Sequence, residues 1–553
     1  MVRVMKAVPL VVFCALIMAV PFVRANWVQD GVALCTGTSD QQYPQVISDD
    51  AGGAIVTWHD GDIYVQRVDA WGTPKWTANG VALCTAWSDQ QYPQITSDGA
   101  GGAIVTWHDD RGATRDIYAR RVDAWGIPQW TANGVALCTA TSDQQFPTII
   151  SDGAGGAIVT WYDQRSGSWD IYAQRVNSLG AVQWATNGVA LCTASGNQYD
   201  PTIVSDTAGG AYVTWHDYRS SNANIYVQRV NASGEAQWAV NGVALCTAVW
   251  DQQFPTITSD GAGGAIVTWE DERTRANDIY AQRVNATGTP LWTANGVAVC
   301  TLTGGQNSPT ITSDGVGGAI ITWFDNRVEY DIYAQRVNAS GTAQWTANGV
   351  ALCAAPGAQY YPTIVSDGAG GAIVTWHDFR SESSWDIYAQ RVNPSGAVQW
   401  TADGVALCTA TGNQNYPTIA SGGAGGAIVT WHDKRSESWD IYAQRVDANG
   451  LVWLTPTDTP PEPTELHQNY PNPFNPATTV TYSISAECNV TLKIYDISGK
   501  CVACLVNKQQ EKGSYSVEWN GRDEDGNSVA SGIYLYRLEA GNQKISRKMV
   551  VLR

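Results

Sequence analysis

The sequence predicts an all-β protein: an eight-bladed β-propeller of four-stranded blades, followed by a small immunoglobulin-like β-sandwich. Three observations carry the propeller. A unit recurs eight times, starting near Trp27, Trp76, Trp130, Trp184, Trp238, Trp292, Trp345 and Trp400 and closing at Trp453, in steps of 49 to 55 residues. A period of that size signals a solenoid, propeller or array. Each unit divides into four short strand-like segments with no sustained helical period. The repeats also open on a fourth strand, Gly31–Cys35, and end on a third, Ile441–Val446. If the first strand completes the last blade, the ring closes with no open edge.

The third unit shows the elements in order. Pro147–Ile150 is the first strand, and Ser151–Gly156 is a hairpin-type turn whose glycines accept positive φ. Ala157–Trp161 runs into a polar loop, Tyr162–Trp169. Asp170–Val176, rich in β-branched and aromatic residues, is the third strand. A turn at Asn177–Gly180 leads past Trp184 and Asn187 to the fourth strand, Val189–Cys192.

Before the repeats, Arg3 and Lys6 precede an apolar run, Ala7–Val23, and Val23-Arg-Ala25 supplies small residues for cleavage. Residues 1–25 read as a secretory signal peptide, and the run is too short for a membrane anchor. The propeller is assigned to 26–453, so the mature protein is expected to be exported and not integral to a membrane. Acidic residues outnumber basic ones, 51 to 33, for a net charge of −18. That argues against nucleic acid and anionic lipid as partners, and suits a solvated acidic coat.

Eight cysteines, one per unit, occupy the same strand position: Cys35, Cys84, Cys138, Cys192, Cys246, Cys300, Cys353 and Cys408. Outer strands of neighbouring blades fan apart, and a disulfide needs Cα atoms within about 7 Å. Small buried groups with free thiols are expected. Tryptophans fall into three sets. Trp161 and its equivalents end the second strand and should pack between blades. The boundary set sits in Asp123-Ala-Trp-Gly-Ile-Pro-Gln-Trp130 and its copies, a pattern that resembles the tryptophan-docking motif of eight-bladed quinoprotein dehydrogenases. The resemblance implies that each ring ties one blade to the next; the adjacent cysteine pair of that family's cofactor site is not present.

The third set, Trp87, Trp169, Trp250, Trp385 and Trp439, is irregular and lies in loops between fourth and first or second and third strands. Strand alternation puts both loop families on one face. That face varies from blade to blade, whereas the Ser-Asp-Gly turns opposite barely change, and variable loops on a rigid ring are where binding resides. Exposed aromatics beside Asn, Gln and Asp suit sugar rings. These five tryptophans are the candidate ligand-binding residues, against the plainer role of covering strand ends.

No catalytic residue, metal ligand or cofactor is assigned. Seven units carry Asp-x-Arg after the second strand, as in Asp163-Gln-Arg165. The Ser-Asp-Gly turns resemble the Asp-box turns of sialidase-like propellers, but seven equivalent pairs point to a repeated clamp, since glycosidic chemistry needs an asymmetric set. His59, His108, His216, His377 and His432 share a position held elsewhere by Tyr162, Glu270 and Phe324, which indicates packing more than metal ligation. Asp523–Asn527 lacks the closing glutamate of a calcium loop and reads as a turn.

After the repeats, 454–465 is a Pro/Thr-rich stiff linker. The tail then shows, in order, Tyr470-Pro471-Asn472-Pro473-Phe474-Asn475-Pro476, an alternating strand from Val490, Gly532-Ile-Tyr534, and Lys548-Met549 on a final strand. Alternation alone argues a small β-sandwich over 466–553. The whole segment resembles the C-terminal sorting domain of type IX secretion cargo, which is related to the immunoglobulin-like domain of flagellar hook-capping proteins. The resemblance implies recognition by the type IX machinery and a location outside, or on the outer surface of, a didermic bacterium. Cys501-Val-Ala-Cys504 reads as incidental.

Two functions follow. The first is a secreted or surface-displayed binding protein whose variable face meets extracellular polysaccharide or a surface protein. The second is a propeller enzyme, hydrolase or lyase, acting on polysaccharide. Near-identical repeats favour the first, because catalysis brings unlike residues together, and the recent duplication they suggest keeps a mainly structural, surface-layer scaffold role open.

Overall fold

The computed structural model describes residues 27–452, 464–469, 472–484, 487–496, 499–511, 513–541 and 543–552. The expected signal peptide, Trp453, nearly all of the linker, Tyr470 and Pro471 lie outside these residues. Among the described residues there is no helix, and eight four-stranded antiparallel sheets form the blades. Blade 3 runs outward from the axis as Gln144–Ser151, Ala157–Asp163, Asp170–Val176 and Val189–Cys192. In blade 8 the fourth strand is Val32–Cys35, with Val32 opposite Ala443. The ring is closed by the N-terminal strand.

The inner strand departs from expectation. It starts at Gln144, three residues before the proline, because a bulge interrupts its pairing: Gln145 faces Tyr162 and Thr148 faces Thr160. Proline lacks an N–H, so Phe146-Pro147 fits the unpaired stretch, and the bulge turns the preceding side chain out of the pleat.

Two kinds of joint hold neighbouring blades. Trp161 is fully buried among Ile104, Ile117 and Ala119 of blade 2. The boundary ring Trp130 donates its indole N–H to Ser178 O of the next blade at 3.0 Å. It lies so close to Gly180 that a Cβ there would fall 2.6 Å from Trp130 Cγ. The last joint of the ring is the same, with Trp27 donating to Ala70 O at 2.9 Å.

The Asp-x-Arg pairs are clamps. Asp163 accepts from Trp161 Nε1 at 2.9 Å and from Arg165 Nε at 2.9 Å. Arg165 Nη2 also reaches Asn187 O at 2.8 Å and Cys138 Sγ of the preceding blade at 3.0 Å. Its guanidinium lies 3.9 Å over the Tyr172 ring. A buried ion pair holds only when its remaining donors and lone pairs are satisfied, as here. The repeat cysteines are buried and free. They are not purely apolar, since Cys138 takes an arginine donor, yet burial pushes its thiol up to about 12.

The C-terminal sheets are Glu465–Leu466, Thr478–Ile484 and Gly513–Trp519 against Cys501–Gln510, Cys488–Tyr495, Gly532–Ala540 and Gln543–Val551. Between them lie Val480, Leu492, Trp519, Tyr536 and Met549. The tail motifs meet on one edge. Phe474 is buried; its N–H donates to Val550 O at 3.1 Å, and Asn472 Oδ1 accepts from Val550 N at 2.8 Å. Gln468 Nε2 donates to Lys548 O at 2.9 Å. Gly532 pairs with Val551, Tyr534 packs on Trp519, and Asn475 and Pro476 are exposed. Asp523 caps its own turn by accepting from Asp525 N and Asn527 N, and Cys501 and Cys504 lie exposed on one edge strand.

Candidate functional site at the mouth of the propeller

The bulge places one residue per blade at the axis: Tyr43, Tyr92, Phe146, Asp200, Phe254, Ser308, Tyr361 and Tyr416, each just before the inner-strand proline. All eight have positive φ, from 49° to 53°. Side chains other than glycine rarely adopt this conformation, and such departures cluster at functional sites. Five of the eight form an unbroken arc. Successive ring centroids lie 4.7 Å (Phe146–Tyr92), 5.2 Å (Tyr92–Tyr43), 5.9 Å (Tyr43–Tyr416) and 5.6 Å (Tyr416–Tyr361) apart. Phe146, Tyr361 and Tyr416 are 37%, 45% and 42% exposed, so the arc presents ring surface to solvent.

Beneath the arc, the residues that end the second strands form a deeper wall. His59 stacks on Tyr43 at 5.5 Å and His108 lies 5.2 Å from Tyr92. The five histidines are buried, and several ring nitrogens, including both of His59 and His108, meet no partner among the described residues. Burial holds them neutral, with His108 and His377 lowered to about 3 and His59, His216 and His432 to about 4.

Blades 4 to 6 break the pattern. Asp200 and Ser308 replace aromatic rings, and Glu270 replaces a histidine. Asp200 Oδ2 lies 3.6 Å from His216 Nδ1, too long for a direct hydrogen bond. Its side chain is 41% exposed, but the surrounding concavity still raises its carboxyl by desolvation. Glu270 is 7% exposed and is gripped by Ser308 N at 2.7 Å and Asn277 Nδ2 at 2.9 Å. Burial pushes it up to about 7. The mouth is therefore lopsided, with aromatic surface over blades 7, 8, 1, 2 and 3 and two perturbed carboxyls opposite. Read as sequence, no single blade offers a recognisable acid/base pair, and the two carboxyls come from different blades, Asp200 from blade 4 and Glu270 from blade 5. The signal was the variable residue just before each inner-strand proline, Asp200 in blade 4, together with the one just after each second-strand tryptophan, Glu270 in blade 5.

The five candidate tryptophans occupy this face at two radii. Trp169, Trp385 and Trp439 are half-buried, flanking the wall at 5.0 Å from Tyr162, 4.7 Å from His377 and 4.6 Å from His432. Trp385 shares a cavity of about 310 Å³ with Phe324, Tyr361, His377 and Tyr416. Trp87 and Trp250, 73% and 47% exposed, stand on outer loops. Trp250 lies 5.4 Å from the Arg275 guanidinium. Among the described residues neither ring contacts the arc, and no group of three or more His, Cys, Asp or Glu is placed to hold a metal. None of their helices crosses a membrane, since there are none.

Residues 475–544 match the FlgD Ig-like domain family. The match falls within the C-terminal sandwich and does not cover the ring that precedes it. No protein of curated function matches the sequence. Among solved structures, dipeptidyl peptidase 4 of Porphyromonas gingivalis is 11% identical, over 81% of this chain and 65% of that one, at a TM-score of 0.43. PorZ of the same organism, described as a surface component of the type IX secretion system, is 14% identical over 91% and 74%, at 0.29. The polysaccharide lyase Uly1 is 10% identical over 74% and 100%, at 0.40. Likeness at this level says nothing of ligand or chemistry.

Proposed function

We propose that this chain is a secreted or surface-held binding protein whose propeller mouth reads an extracellular glycan. The aromatic arc from Phe146 through Tyr43 to Tyr361 carries this reading. Flat rings partly open to solvent offer apolar faces to sugar C–H groups, and Asp200, Asn415 and the tyrosine hydroxyls supply the few polar contacts that fix orientation. Trp385 and Trp439 extend the surface, and Trp87 and Trp250 stand where a longer polymer would cross the rim. The type IX route is part of the proposal. It rests on the described tail motifs converging on the final strand of the FlgD-like domain, where Asn472 and Phe474 bond to Val550 and Gly532 pairs with Val551.

The test passes the full-length protein over immobilised polysaccharides, beside Tyr43→Ala/Tyr416→Ala, Trp87→Ala and Trp250→Ala variants. Selective retention lost at least tenfold in the double variant is expected. Retention unchanged in all three, or none by the parent on any polymer, would overturn the glycan reading. A second reading, a polysaccharide-acting enzyme, is favoured by one observation: Glu270, protonated to near neutral pH, shares the mouth with Asp200. Release of reducing or unsaturated ends from a retained polymer, abolished in Glu270→Gln, would establish it.

A further inference from the structure

Seven of the eight blades share a second ion pair, on the face opposite the mouth. The aspartate of the Ser-Asp turn joins the arginine of the third strand, as in Asp98–Arg121 at 2.8 Å, Asp152–Arg175 at 2.8 Å and Asp367–Arg391 at 2.9 Å. The carboxylate also gathers the turn, Asp98 Oδ1 accepting from Ala100 N and Gly102 N. The arginine reaches on to the carbonyl that receives the docking tryptophan, as Arg391 Nη1 does to Ala448 O at 3.0 Å.

Blade 8 keeps the arginine and has no such aspartate: Gly422 stands in its place. The turn responds by closing as a tight hairpin, with Gly423 paired to Gly426 and Ala424 and Gly425 at φ 49° and 78°. Arg445 still donates to Ala70 O at 3.1 Å. Its other contact, Nη2 to Gly422 O, is stretched to 3.5 Å, and its buried Nε meets no acceptor among the described residues. Asp447, the acid whose field reaches it, already accepts from Asn449 N and Leu451 N. Burial lowers the guanidinium's proton affinity, as expected for a cation short of its counter-charge. Arg445 and Gly422 line a cavity of about 560 Å³ together with Leu466, Arg547 and one acid, Asp50.

We propose that the eighth blade is a carboxylate-binding site, in which Arg445 takes from a ligand the anionic group that the other blades carry in their own sequence. A planar guanidinium matches a carboxylate on a short stem, so the class is a small carboxylic acid, a uronate, or an aspartyl side chain presented by a peptide. The site is independent of the glycan reading, since it lies at the other end of the blade.

Calorimetric titration and thermal melting of the full-length protein test it, with acetate, glucuronate and acetyl-Ser-Asp-Gly-amide as probes against chloride at equal ionic strength. The parent should bind one equivalent, and its Tm should rise by about 1–2 °C at ten times Kd. Gly422→Asp should melt higher than the parent and ignore all probes, and Arg445→Gln should also ignore them. Asp367→Gly, which removes the carboxylate from blade 7, should raise the stoichiometry to two. Binding of the peptide without the small acids would mark a polypeptide as the source of the carboxylate; the reverse would mark a metabolite or a uronate. A parent indifferent to every probe, or a Gly422→Asp protein that binds like the parent, would overturn the proposal.

Discussion

Glu270 shows what one substitution among eight equivalent positions does. Burial moves its carboxyl from an ordinary 4.5 up to about 7. Between those values the folded protein keeps a proton that the unfolded chain has released. Its contribution is therefore most favourable at low pH and is lost as pH rises to about 7. The buried histidines run the other way, losing stability as pH falls from 6.5 toward 3 or 4. Glu270→Gln keeps an acceptor for Ser308 N and removes the titration. The variant and parent should unfold at the same urea midpoint near pH 4.5. At pH 8 the variant should be more stable by roughly 2–3 kcal/mol. Equal midpoints at both pH values would mean an ordinary carboxylate, and would withdraw the main support for proton transfer at the mouth.

At the scale of the element, the docking turn decides how firmly blades join. Gly180 needs its φ of +82°, and a Cβ there would also strike the Trp130 ring. Gly153, at φ +73°, has nothing within 4 Å of the same added atom. Gly153→Ala should cost only the backbone term, about 1 kcal/mol. Gly180→Ala should cost roughly 2–4 kcal/mol, because overpacking adds to it. Chemical denaturation of the two variants side by side separates the terms, and equal losses would mean that Trp130 moves aside freely. The turn was legible because its glycine and tryptophan recur at a fixed spacing, and the Asp163–Arg165 clamp was legible for the same reason. The aromatic arc was not. It depends on a bulge that lets the residue before each proline take positive φ, and propensity alone argues against that conformation. Repetition exposes what the blades share; the candidate site consists of what they do not share, brought together only by closure.

Closure itself is the property of the whole molecule. Blade 8 borrows Val32–Cys35 from the other end of the repeats, and the same segment supplies two further ties. Asp30 Oδ1 accepts from Thr409 N at 2.8 Å, and Asp30 O accepts from Arg435 Nη2 at 2.7 Å. Trp27 docks over Gly72 of blade 1, joining first blade to last. Removing residues 27–35 would take away one strand, one docked ring and one of the acceptors of Arg435 together. Asp440–Val446 would then become an open edge, and such edges pair with other chains. The truncated protein should melt well below the parent and appear as dimers or larger species by light scattering after size exclusion. Its aromatic arc should also lose ligand, because Tyr43 and Tyr416 meet across the seam between blades 1 and 8. A truncated protein that stays monomeric and melts with the parent would show that contacts between inner strands hold the ring without its outer latch.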